Sequence, residues 1–144
     1  MMGTYPFTKR RLARALAVEV IYRFYLLGEP PEESLRDVLA REDLEEDERA
    51  LLQNIVNAHR AKCERITALL EKSSSNWRPE RMFFLDRAII EAATAELIVG
   101  ETPHAVVISE AIEIAKSLST EKSPGFVNGV LDGILKGMVD ESLK

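Results

Sequence analysis

Val106-Val-Ile-Ser-Glu-Ala-Ile-Glu-Ile-Ala-Lys-Ser-Leu-Ser-Thr-Glu-Lys-Ser-Pro-Gly-Phe-Val-Asn-Gly-Val-Leu-Asp-Gly-Ile-Leu135 decides the fold of this chain. Ile108, Ala111, Ile112, Ala115 and Leu118 recur at three- and four-residue steps, which puts them on one helix face. Val127, Leu131, Ile134, Leu135 and Met138 form a second such face. Ser119–Ser123 is the polar break between them. Ser123 followed by Pro124 predicts a helix start, with the hydroxyl capping free N–H groups and Pro in the first turn. The rest of the chain reads as material packed against this pair.

Working back from that pair, the same spacing recurs. Thr8–Leu27 is predicted as a helix apolar almost all round beyond Leu12, hence central. Gly28 caps it and Pro30-Pro31 stop it, and Met1–Phe7 reads as a loose arm. A short helix follows over Glu32–Arg41, then one long helix from about Asp47 to Glu71. Ser73–Asn76 reads as a linker, with Trp77 packing across the junction. It divides one domain into an N-terminal bundle of about 8–72 and a C-terminal bundle of about 77–140. Leu85, Ile89, Ala92, Ala93 and Leu97 make the buried stripe of a helix ending near Gly100, with Glu96 beside it as a paired carboxylate. No stretch alternates with period two, so the expected fold is all-α with about seven helices. Gly125, Gly129, Gly133 and Gly137 recur every four residues and predict close approach of another helix.

Length and charge narrow the class. A chain of 144 residues is one domain by size. One cysteine, Cys63, allows no internal disulfide and suits a reducing compartment. Arg14, Glu19 and Arg23 interrupt the longest apolar stretch, which excludes a span of roughly 18 residues. No signal-peptide order opens the chain, so the expected location is cytoplasmic. A net charge of −5 argues against unselective nucleic-acid binding. Yet Lys9, Arg10, Arg11 and Arg14 all precede the first acid, Glu19, and a local basic patch can still hold phosphates.

Arg11, Arg14, Val18 and Tyr22 fall on one helical stripe, with Arg10 beside Arg14. Such a stripe offers charge for phosphate and a flat ring for a base. It also fits an exposed basic helix end with Tyr22 at the edge of the core. His59 and Cys63 stand four apart, but no second pair accompanies them, so Cys63 is expected in the core and no metal is expected. The chain has no phosphate-cradling Gly-rich loop, no His-Glu-x-x-His and no Cys-x-x-Cys. Neither catalysis nor a cofactor is expected.

Ser-Glu-Ala-Ile-Glu-Ile-Ala-Lys at 109–116, Thr-Glu-Lys-Ser at 120–123 and Phe-Val-Asn-Gly-Val-Leu-Asp at 126–132 resemble the C-terminal signature of the NusB family of bacterial transcription antitermination factors. Leu85-Asp86-Arg87, Glu96-Leu97 and the Arg-rich start at Arg10–Arg14 extend the resemblance over nearly the whole chain. It implies two packed three-helix bundles with the Arg-rich first helix at their junction. It further implies binding of boxA-type single-stranded RNA together with the ribosomal protein NusE, on elongating RNA polymerase. The RNA residues it points to are Arg10, Arg11, Arg14, Tyr22, Phe126 and Asn128. Asp86 and Glu91 fall on the helix expected to face NusE, where Ile90-Glu91 replaces the usual Leu-Arg. Glu19 stands where Gln is usual, and Leu118-Ser119 where an aromatic-Gly pair is usual.

Overall fold

The computed structural model describes residues 5–74 and 78–143, and these contain seven α-helices and no strand. They are α1 (Lys9–Leu27), α2 (Pro31–Arg41), α3 (Glu46–Ala61), α4 (Cys63–Ser73), α5 (Phe84–Val99), α6 (His104–Leu118) and α7 (Ser123–Ser142). A single 3-10 turn at Pro79–Arg81 precedes α5. No helix among the described residues is long and apolar enough to cross a membrane.

The centre of the molecule is α1 against α5. Every residue from Ala13 to Ile21 is buried, as is nearly every one from Asp86 to Leu97. Alanines at 13, 15, 17, 88, 92, 93 and 95 leave little side chain on these helices, so large partners on neighbouring helices fill the space around them. Leu52 and Ile55 of α3, Ile114 of α6 and Leu131 and Ile134 of α7 do so, each fully buried. A side chain of that size contributes roughly 1.5–3 kcal/mol on burial, and truncating Leu52 to Ala would cost about 2–5 kcal/mol. Gly28 (φ 68°) and Gly100 (φ 77°) end α1 and α5 in the left-handed conformation, each N–H returning to the carbonyl four residues back.

Several expectations need correction. The long helix across 47–71 is broken at Lys62 (φ −114°, ψ 23°), and the second piece, α4, packs along α7. Ser73, expected in the linker, is the last residue of α4. Ser75–Trp77, including the expected junction residue Trp77, lie outside the described residues, as do Met1–Thr4. Cys63 is exposed, because the break turns it out of the core stripe. Tyr5 is buried and Phe7 packs on the core, so this part of the N-terminal segment is bound down. The four glycines of α7 are not alike. A Cβ on Gly133 would lie 3.1 Å from the Ser73 Cβ and one on Gly137 3.3 Å from Leu69, whereas Gly125 and Gly129 face open space. Close approach to α4 therefore explains the second pair only.

Candidate nucleic-acid interface

Two polar regions lie toward opposite ends of α5. Near its C-terminal end, Arg14 Nε and Nη2 donate to both oxygens of Glu96, each at 2.8 Å. Both side chains are buried, as the helix stripe around Glu96 predicts. Arg11 makes the same two-pronged contact with Glu110 of α6, at 3.0 and 2.8 Å, and keeps 38% of its side chain exposed. Glu110 also lies 3.6 Å from Arg14, so one carboxylate faces two guanidinium groups. Hydrogen bonds from Arg11 outweigh the opposing effect of burial and hold the Glu110 carboxyl below the usual range. Arg10 reaches Asp47 of α3 at 3.4 Å and is otherwise exposed. The stripe is thus mostly an internal seam: Arg14 and Val18 are buried and Tyr22 is half-buried against the core. Arg10, the outer edge of Arg11 and part of Tyr22 face water.

At the N-terminal end of α5, a chain of hydroxyls fixes the start of α7. Ser123 Oγ donates to Ser119 Oγ at 2.9 Å, and Ser119 Oγ donates to Asp86 Oδ1 at 2.5 Å. Ser123 Oγ also accepts from the Thr120 N–H at 3.2 Å, so this hydroxyl turns back into the loop and does not cap α7 as expected. The tie holds Phe126 and Lys122 beside the 3-10 turn. Between them opens a cleft of about 420 Å³, lined by Arg81, Met82, Phe83, Asp86, Thr120, Lys122, Ser123 and Phe126. Phe83 is 67% exposed, and Arg81 and Lys122 are exposed at the rim. Asn128 is exposed on the same helix as Phe126.

The two residues expected to face a partner are interior. Glu91 is 2% exposed: His59 Nε2 lies 2.6 Å from one oxygen, Arg87 Nε donates at 2.7 Å, and Tyr25 Oη donates at 2.8 Å. Burial raises the Glu91 pKa, but these partners outweigh it and the net shift is downward. The charge that departs from the family pattern is therefore matched within the fold. His59 is accounted for in the same way, and no group of three or more potential metal ligands occurs among the described residues. Asp86 is buried under Ser119 at the floor of the cleft. What faces outward nearby is apolar: Phe24, Leu27, Phe83 and Phe84 are all exposed. Tyr25 links two of them, edge-on to Phe24 at 5.4 Å and stacked on Phe84 at 6.0 Å.

Sequence reasoning missed Arg81, Phe83 and Lys122. Its available signal was the run Arg78-Pro-Glu-Arg-Met-Phe-Phe84, where two cations and two aromatics precede a buried helix.

An all-helical protein with a buried α1–α5 axis, arginines tied to carboxylates at one end and an aromatic cleft at the other defines a recognisable class. The chain belongs to the NusB family, whose model matches residues 11–136. It is 34% identical to the transcription antitermination protein NusB of Symbiobacterium thermophilum over 141 residues, 90% of each chain. NusB of T. maritima superimposes with a TM-score of 0.79 at 29% identity, covering 90% of this chain and 92% of that one. A structure of the antitermination factors NusB and NusE in complex with dsRNA gives 0.81 at 28% identity, covering 89% and 96%.

Proposed function

We infer that this chain is an RNA-binding transcription antitermination factor. It takes up boxA-type single-stranded RNA together with NusE and acts in the cytoplasm on elongating RNA polymerase. The observation that carries the reading is the cleft at the foot of α7, which Phe83, Phe126, Arg81 and Lys122 line together. Aromatic faces accept unpaired bases by stacking and flanking cations accept phosphates, which is the chemistry of single-strand recognition. Asn128 adds an amide able to pair with base edges. At the other end of α5, Arg10 and the outer edge of Arg11 extend the track beside the buried Arg14, and Tyr22 lies further along α1 with part of its ring open for a base. Relatives named as antitermination proteins, and one captured with NusE and dsRNA, support RNA and NusE as partners. NusE is assigned to the exposed apolar surface of Phe24, Leu27 and Phe84, with Asp86 and Glu91 shaping it from beneath.

The second reading, a helical protein-interaction module, draws on the carboxylates that already match Arg11 and Arg14. A pull-down from cell extract, scored for NusE and for RNA, separates the two. Recovery of both is expected, and recovery of protein without RNA would favour the module.

A further inference from the structure

The first turn of α1 should not be stable by its own chemistry. Its N-cap, Thr8, makes no side-chain capping bond, and no acid stands in the first turn. Lys9, Arg10 and Arg11 instead place three like charges at the positive end of the helix dipole, and the carboxylates that meet Arg10 and Arg11, Asp47 and Glu110, belong to other helices. Lys9 also has φ 57°, the one positive value among the described non-glycine residues. The segment before it lies back against α1, since Tyr5 reaches Glu19, ten residues past Lys9. Tyr5 there is 8% exposed, its hydroxyl donates to Glu19 Oε1 at 2.6 Å, and its ring stacks on Phe7 at 6.3 Å. Glu19 is a firm anchor, since Arg41 donates two hydrogen bonds to it and Arg23 one. Burial raises its pKa, but Arg41, Tyr5 and Arg23 outweigh that and hold the carboxyl below the usual range.

We propose that Tyr5 is a positioning residue for RNA: the strap it pins to Glu19 pre-orders the first turn of α1, so that Arg10 and Arg11 meet phosphates without first having to be ordered. The proposal rests on the RNA reading above. Pre-ordering lowers the entropy cost of binding without adding a contact. Removing the strap should therefore weaken binding and leave the number of phosphate contacts, and hence the salt slope, unchanged.

The test compares full-length wild type, Tyr5→Phe and Tyr5→Ala, each checked by thermal melting. Trypsin cleavage after Lys9, Arg10 or Arg11 reports the first turn directly, without RNA. It should accelerate from wild type to Tyr5→Phe to Tyr5→Ala. Binding to fluorescein-labelled oligouridine should fall by roughly tenfold in Tyr5→Phe, near the lower end for a hydrogen bond to a charged group. Its slope against salt should match that of wild type, whereas Arg10→Ala should flatten it by about 0.7. Faster trypsin cleavage with unchanged RNA affinity would overturn the positioning role, and unchanged cleavage would overturn the strap itself. Wild type that ignores salt would instead overturn the RNA reading on which both depend.

Discussion

The two ends of α5 handle positive charge in opposite ways. At the C-terminal end, Arg11 and Arg14 each meet a carboxylate through two hydrogen bonds no longer than 3.0 Å. At the N-terminal end, Arg81 and Lys122 stand at the rim of a cleft lined by aromatic rings and hydroxyls, whose one carboxylate, Asp86, is buried beneath Ser119. The densest run of arginine in the chain is thus largely committed to holding α1 on α5 and α6. The sparser cations beside Phe83 and Phe126 are exposed and, among the described residues, form none of the ion pairs that hold Arg11 and Arg14. The number of cations in a segment says little about ligand binding until the carboxylates folded against it are known.

The widest gap between the two ends should appear in stability. Arg14→Ala leaves Glu96 buried without its partner and should cost roughly 3–5 kcal/mol by denaturant unfolding, whereas Lys122→Ala should cost almost nothing. A small loss for Arg14→Ala would mean that the seam is not structural.

Strong acid should weaken the fold through its matched carboxylates. Glu19, Glu91 and Glu110 all have depressed pKa values in the folded protein. Their contribution is therefore fully present above the ordinary glutamate value of roughly 4.3 and is lost as pH falls through the lower folded values. Unfolding midpoints should hold between pH ~7 and ~5 and drop steeply below ~4. Replacing Glu110 with Gln should make that drop shallower.

Binding gives the next contrast. Phe83→Ala should weaken single-stranded RNA by about 1–3 kcal/mol if the ring stacks a base, with melting unchanged because Phe83 is exposed. Equal affinity for the variant would remove Phe83 from the site. The smallest effect belongs to the α7 face near Asn128. Gly129 meets nothing within 4 Å, so Gly129→Ala should stabilise the protein by up to about 1 kcal/mol. A loss would show that the backbone there is in contact after all.

Much of this arrangement was legible in the spacing of apolar residues. Period and caps predict α1, α5, α6 and α7, and Gly28 and Gly100 stop helices as expected because each takes a positive φ. Glu96 could be read as a paired carboxylate because it stands beside a buried stripe. The break at Lys62 could not, since no Pro or Gly marks it and the apolar spacing continues through it. Nor could the partners of Arg11, Arg14 and Glu91, which lie 99, 82 and 66 residues away in Glu110, Glu96 and Tyr25. Such pairings depend on which helices meet, and local sequence carries little of that information. The cleft was half legible: Phe126 belongs to a family motif, whereas Phe83 becomes notable only once its exposure is known.

Salt dependence of RNA binding tests the central claim most directly. For wild type on a boxA-type oligonucleotide, three or four phosphate contacts through Arg10, Arg11, Arg81 and Lys122 give a log–log slope of roughly −2.1 to −2.8. Lys122→Ala, which should leave the fold intact, is expected to flatten that slope by about 0.7. A flat wild-type response, or a Lys122→Ala slope equal to that of wild type, would contradict a phosphate track through the cleft.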